Sequence, residues 1–284
     1  MYVTLKQLLT HAETGGYTVL APNVFNLESL IAVVEAAEAE NAPVIIAIGE
    51  SRIKDMRLQT YLPMVAKDMA MRSRVPIGIN LDHGKNFSSL VLAMQKEFSS
   101  VMIDASMCPY EENVLRTREI VKIAHALGIS VEAEIGHVGE GQDYTENGVK
   151  DGLTEPEMAK KFAEETEVDA LAVAVGTAHG VYKGVPKLDF VRLAEIKKIV
   201  NVPLVLHGGS GTGMENLIRA SELGIRKLNI NTELLAAARE QIKKELEADP
   251  DIDYSVLLQR GKNAVVARLR EYMQALKSSG KAWC

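Results

Sequence analysis

Eight short, nearly all-apolar runs punctuate this chain from end to end, with longer stretches of helical spacing between them. The runs lie at 18–23, 44–48, 75–81, 100–104, 130–135, 170–175, 204–207 and 227–230. A run that is apolar at successive positions is covered on both faces, which is the situation of parallel strands joined by helical crossovers. Eight such units are the number that closes into a (β/α)8 TIM barrel, so the expected class is α/β, with a single barrel domain over 1–284. An open doubly wound sheet is the competing arrangement. It calls for a glycine-rich turn after the first strand, and Asn23-Val24-Phe25-Asn26 carries no G-x-G-x-x-G.

Helices are expected at 27–40, 111–127, 156–165 and 215–223, among others. Thr154-Glu155-Pro156-Glu157 reads as a helix start, with Thr154 as N-cap, Pro156 in the first turn where a missing N–H is harmless, and Glu157 completing a capping box. Two further helical segments, 232–247 and 255–277, flank the acidic Ala248-Asp249-Pro250-Asp251. They are expected outside the barrel, the chain from about 248 to 284 forming a helical extension that either caps the packing or supports oligomers.

The 284 residues are 47% hydrophobic and 25% charged, enough for a full core and unlike a disordered or low-complexity chain. Lys and Arg number 32 against 38 Asp and Glu, a net charge of −6, and no basic block offers a track for nucleic acid. Small anions remain admissible, because a few backbone amides hold a phosphate whatever the overall charge. Two cysteines, Cys108 and Cys284, make no disulfide framework. No basic leader and no apolar run of about 18 residues is present, so a cytoplasmic protein without membrane partners is expected.

In a parallel barrel, chemistry gathers at the C-terminal ends of the strands. Asp82-His83-Gly84 follows the third run, Asp104 closes the fourth, Glu134 the fifth, and His179-Gly180 follows the sixth. His207-Gly208-Gly209-Ser210-Gly211 follows the seventh, and Asn229 and Asn231-Thr232 close the eighth. Three of the six histidines thus come from separate strands to one rim, the donor set a zinc site with an open fourth position requires. Three individually hydrogen-bonded loop histidines would be the plainer reading, at the cost of three coincidences. His11 and His125 fall in expected helices off the rim and read as structural, while His137 is a weaker candidate ligand. Asp82 suits either an orienting or a proton-carrying role, and Asp104 and Glu134 either hold metal or hydrogen-bond the histidines. The glycine-rich turn after the seventh run and the helix opening after the eighth occupy the usual phosphate site of such barrels.

Taken together, Leu81-Asp82-His83-Gly84, Ser100-Val101-Met102-Ile103-Asp104-Ala105-Ser106, Val131-Glu132-Ala133-Glu134-Ile135-Gly136, Gly176-Thr177-Ala178-His179-Gly180, Leu206-His207-Gly208-Gly209-Ser210-Gly211 and Asn229-Ile230-Asn231-Thr232 resemble the class II, zinc-dependent ketose-bisphosphate aldolases of the fructose and tagatose type. The resemblance runs in order from about Leu5 to the C-terminus. It implies His83, His179 and His207 as zinc ligands, Asp82 as general acid/base, and Asp104 and Glu134 as a second or resting metal position. It further implies Gly180, Gly208, Gly209, Ser210, Asn229, Asn231 and Thr232 as the site for the ketone fragment and its phosphate. A monovalent cation, Na+ or K+, is implied at backbone carbonyls near Ala178, Gly180 and Gly208, and a homodimer or homotetramer as the assembly. The implied reaction is reversible cleavage of a ketose 1,6-bisphosphate to dihydroxyacetone phosphate and an aldehyde, with a divalent ion as Lewis acid for the charge left beside the C2 carbonyl. A Schiff-base aldolase would instead draw on Lys85 or Lys227.

Three places depart from the family pattern. The loop usually written G-G-Q-E-D reads Gly139-Glu140-Gly141-Gln142-Asp143, which leaves Glu140 and Asp143 as alternative loop acids. The serine usual after the second strand is replaced by glycine in Ile48-Gly49-Glu50-Ser51 unless the alignment slips by two. The arginine of a C-terminal D-P-R segment is replaced by Ser255 in Asp253-Tyr254-Ser255, and serine does not substitute for a phosphate-binding guanidinium. Either Arg260, Lys54 or Arg52 compensates, or the substrate is another ketose 1-phosphate that lacks or replaces the distal phosphate. A non-catalytic barrel subunit of an aldolase complex and a zinc hydrolase are the remaining readings. The first is free to lose the histidines kept here, and the second usually takes paired histidines from the first strand, where Asn23-Val24-Phe25 has none.

Overall fold

The computed structural model describes residues 1–50, 57–139, 152–182 and 186–283, and within them eight parallel strands close into a barrel in sequence order. The strands are β1 (Val19–Pro22), β2 (Val44–Gly49), β3 (Ile77–Gly84), β4 (Ser100–Ile103), β5 (Ser130–Ile135), β6 (Ala170–Val173), β7 (Leu204–Leu206) and β8 (Ile225–Ile230). Closure is made by β1 on β8, with Val19 opposite Lys227 and Ala21 opposite Asn229. The helices are α1 (Leu5–Gly15), α2 (Leu27–Glu40), α3 (Arg57–Arg72), α4 (Phe87–Met94), α5 (Tyr110–Ala126), α6 (Pro156–Thr166), α7 (Phe190–Ile199), α8 (Met214–Glu222), α9 (Thr232–Ala248) and α10 (Tyr254–Ala275).

Strand alternation divides the interior in two. Outward residues such as Ile46, Ile79, Val101, Val131, Leu171 and Leu228 pack under the helices, while Val19, Ala21, Ile45, Met102, Ala170, Ala172 and Val205 point inward. Leu5, Leu8, Leu9 and Ala12 of α1 close the lower mouth against that inner set. The helix begins on a capping box between Thr4 and Gln7 and repeats its apolar residues on one face. Filling the lower barrel with small and aliphatic side chains leaves Asp82, Glu132, Glu134, His207, Lys227 and Asn229, all buried, to occupy its upper part.

Two local expectations are corrected. Asp82, His83 and Gly84 lie inside β3, where the register with β4 shifts between Leu81 and Gly84. Thr154 is not the N-cap of α6, since Glu155 holds that position and no side chain caps it. The Thr154 hydroxyl donates to Ile135 O and accepts from Ala174 N at 2.8 Å, tying β5 to the chain beyond β6. That bond competes with capping and wins because it satisfies two buried backbone groups at once.

The C-terminal helices do lie outside the barrel wall. α10 packs along α9 and α2, and the chain beyond it runs beside the end of α2, with Gly280 N donating to Glu40 O and Ala282 N to Asn41 O. Trp283 then stacks on His11 at 4.1 Å between centroids, and His125 pairs with Asp169 at 2.8 Å, so both histidines are structural. Among the described residues no helix is long and apolar enough to cross a membrane.

Candidate active site

The upper rim brings His83, His179 and His207 together, one nitrogen from each ring lying within 4.8 Å of the others. In His83 and His207 the free nitrogen is selected by what the other ring atom does. His83 uses Nδ1 on Asp104 Oδ2 at 2.9 Å, which leaves Nε2 facing His179 Nε2 at 3.2 Å. His207 gives Nε2 to Glu132 Oε1 at 2.8 Å, so Nδ1 is the remaining acceptor, and this buried atom has no hydrogen-bond partner among the described residues. Carboxylates behind two imidazoles fix their tautomers and aim their lone pairs, the usual support of a metal-binding histidine. His83 does this from a left-handed backbone, φ +49°, an uncommon conformation for a residue with a Cβ, and the register shift in β3 supplies it.

Electrostatics place the positive charge of the three rings on His83 alone. Burial opposes charge on His83, but Asp82, Asp104 and Glu134 outweigh it and raise the ring to about 9. Burial and the charge on His83 lower His179 to about 4, and burial with His83 and Lys227 pushes His207 well below its ordinary value. A buried cluster of nitrogen donors ringed by carboxylates, with one donor orphaned, fits a divalent cation.

Asp82 lies beside the histidines, its Oδ1 4.0 Å from His207 Nδ1. Asn23 Nδ2 donates to one of its oxygens at 2.8 Å and Asn229 Nδ2 to the other at 3.0 Å. Burial disfavours its charge, yet His83, His207, Lys227 and the Asn23 bond together hold its carboxyl below the usual range. Asp104, Glu134 and His83 form a second group of converging ligand atoms. Burial pushes Glu134 up to about 7, whereas bonds from His83 and Ser106 overcome burial to lower Asp104. His137 belongs to neither group of ligands, and its Nδ1 meets Ser106 Oγ at 3.0 Å.

A cavity of about 130 Å³ opens beside this cluster, lined by Asn23, Asp82, His179, His207 and the residues of the loops after β6, β7 and β8. Gly180, Gly208, Gly209, Ser210, Asn229, Asn231 and Thr232, all expected at the site, line it. Gly208 is obligatory, with φ +68° and a position where a Cβ would collide with Ala178 O. Its carbonyl accepts from Tyr182 Oη at 2.9 Å and Thr212 Oγ1 at 3.0 Å, so a monovalent cation there has to displace one of them. No lysine or arginine among the described residues lines the cavity.

Two side chains, Glu132 and Asn23, escaped the sequence reading, and Lys227 entered it only as the lysine of a Schiff-base alternative. Glu132 and Lys227 form a fully buried pair, Nζ lying 2.9 and 2.7 Å from the two carboxylate oxygens, behind His207. Alternation along β5 and β8 turns both inward, the signal that could have found them. Asn23, which anchors Asp82, ends the first apolar run and carried the same kind of signal. Lys85 is largely exposed and 3.8 Å from Asp104. Glu140, Asp143, Arg52 and Lys54 lie outside the described residues. Ser255 donates to Asp253, the N-cap of α10, and Arg260 stands 4.0 Å from Glu245, away from the cavity lining.

A closed parallel barrel with a cluster of metal-ligating histidines, an anchored aspartate and a cavity at its C-terminal rim has the layout of a barrel enzyme. The family model described as fructose-bisphosphate aldolase class-II matches residues 3–281, and the chain belongs to that family. It is 40% identical over 285 residues to the fructose-bisphosphate aldolase of Geobacillus stearothermophilus, covering 99% of this chain and 98% of that protein. Among solved structures it resembles the YdjI aldolase of Escherichia coli K12, with a TM-score of 0.88 at 34% identity over 100% of both chains. A putative fructose-1,6-biphosphate aldolase of Coccidioides immitis matches with a TM-score of 0.85 at 31% identity, covering 98% of this chain and 97% of that one.

Proposed function

We propose that the chain is a zinc-dependent aldolase that cleaves a ketose 1,6-bisphosphate of the fructose or tagatose type to dihydroxyacetone phosphate and an aldehyde. The observation that carries this reading is the convergence of three imidazole nitrogens within 4.8 Å beside a carboxylate that two asparagine amides hold in place. His83 Nε2, His179 Nε2 and His207 Nδ1 would hold the ion, with Asp104 and Glu134 offering a second position. When bound, zinc supplies a Lewis acid for the negative charge that develops beside the C2 carbonyl, worth several kcal/mol.

The chain's own residues do the rest. Asp82, ionised at neutral pH, accepts the C4 hydroxyl proton as the C3–C4 bond breaks and returns it during condensation. Asn23 and Asn229 fix the direction of its oxygens. Ser210, Thr232 and the amide of Gly208 receive the C1 phosphate at the start of α9, where the helix dipole favours an anion. The exposed apolar side chains Tyr61, Met64, Val65 and Met71 along one side of α3 support a homo-oligomer, dimeric or tetrameric.

Ser255 and the absence of lysine and arginine from the cavity lining among the described residues favour a second reading, the same chemistry on a ketose phosphorylated only at C1. Release of dihydroxyacetone phosphate from fructose and tagatose bisphosphates, compared with release from 1-phosphates, separates the two. Preference for a bisphosphate by tenfold or more in kcat/KM supports the first, comparable turnover the second, and no release from either contradicts both.

A further inference from the structure

The loop after β7 is stitched to the first turn of α9, and the last stitch comes from outside the barrel. Ser210 Oγ accepts from Asn231 N at 3.0 Å and from Glu233 N at 3.3 Å. Gly211 N donates to Glu233 Oε1 at 2.9 Å, and the Tyr272 hydroxyl, reaching in from α10, donates to Glu233 Oε2. With both lone pairs of its hydroxyl given to amides, Ser210 keeps only its proton to offer, and it lines the cavity.

Glu233 is an awkward neighbour for an anion. A carboxylate in the first turn of α9 is drawn to the same helix N-terminus that would receive a phosphate. Both of its oxygens are engaged, one by Gly211 and one by Tyr272, and Glu233 does not line the cavity. Tyr272 is 3% exposed, so its hydroxyl has little water to turn to.

We propose that Tyr272 is a positioning residue for the anion subsite, acting through Glu233 to hold the loop at Gly211 against α9 and to keep a competing carboxylate out of the cradle. The inference rests on the proposed function only in taking the cradle as the seat of the C1 phosphate. It makes the C-terminal helix a part of substrate recognition rather than a cap on the barrel.

The test is Tyr272→Phe in the full-length, metal-loaded chain, with inorganic phosphate as the probe. Phosphate binding by calorimetry, the phosphate inhibition constant and KM for the ketose phosphate should weaken together by about five- to tenfold, with kcat changed less than about twofold. In a Glu233→Gln background the same substitution should change phosphate binding less than about twofold, because the charge it restrains is gone. Undiminished phosphate binding in Tyr272→Phe overturns the proposal, and so does an equal loss in both backgrounds or a fall in kcat alone. A wild-type chain that binds no phosphate overturns this and the aldolase reading together. One that binds phosphate and cleaves nothing, yet loses binding in Tyr272→Phe, supports the positioning role and contradicts the aldolase reading.

Discussion

Asp82 keeps its charge against burial because Asn23, Asn229, His83, His207 and Lys227 all favour the ionised form. Asp82→Asn is nearly isosteric and removes the proton acceptor while sparing the three ligand nitrogens. It should lower kcat by about 10²- to 10⁴-fold with zinc content per chain unaltered, checked by steady-state kinetics beside metal analysis. His83 gives the pH dependence. Its raised value, about 9, stabilises the metal-free fold below the ordinary imidazole range, a contribution lost as pH rises through 9. Metal uptake must displace that proton, so zinc affinity measured by chelator competition should rise from pH 6 and level off near 9. A flat profile would contradict the assignment of His83 Nε2 as a ligand.

Among the elements, one carboxylate ties the end of α2 to α10 and the chain just beyond it. Glu40 at the end of α2 accepts from Arg270 Nε at 2.7 Å, Gln274 Nε2 at 3.0 Å and Ser279 Oγ at 2.7 Å. Burial raises its pKa, but these bonds outweigh burial and lower it. The stabilisation is therefore present above the ordinary carboxylate value of 4.5 and is lost as pH falls through the lowered one. Glu40→Gln should lower the unfolding free energy by about 1–2 kcal/mol at pH 7, the gap from wild type closing in acid, as read by urea unfolding. The strands were legible because each is buried on both faces and so reads as an unbroken apolar run. The rim was legible because Asp82, His83, Asp104, His179 and His207 interrupt or follow those runs, where a buried strand would tolerate a polar residue only for a purpose. Thr154 was not, because its local pattern matches a capping box and only the approach of β6 redirects the hydroxyl. The reach of Tyr272 was not, because sequence separation hides a contact between α10 and the start of α9.

At the scale of the whole molecule, the barrel places its aliphatic bulk below and its charged residues above. The inner layer of Glu132, Lys227 and Asn229 joins the two, carrying the rigidity of the core to His207 and Asp82. The contact of Glu132 with Lys227 in that layer was not legible in the sequence, which marked Asn229 for the substrate site and Lys227 only as a Schiff-base alternative, since a residue's inward or outward direction depends on register, which closure of β1 on β8 sets. In the proposed function this upper layer is built around one divalent ion. The direct measurement is zinc content and cleavage activity of the same purified chain before chelation, after it, and after zinc is returned. About one zinc per chain, with activity lost on chelation and restored by the metal, is the expected result. Full activity in chain stripped of metal would contradict it.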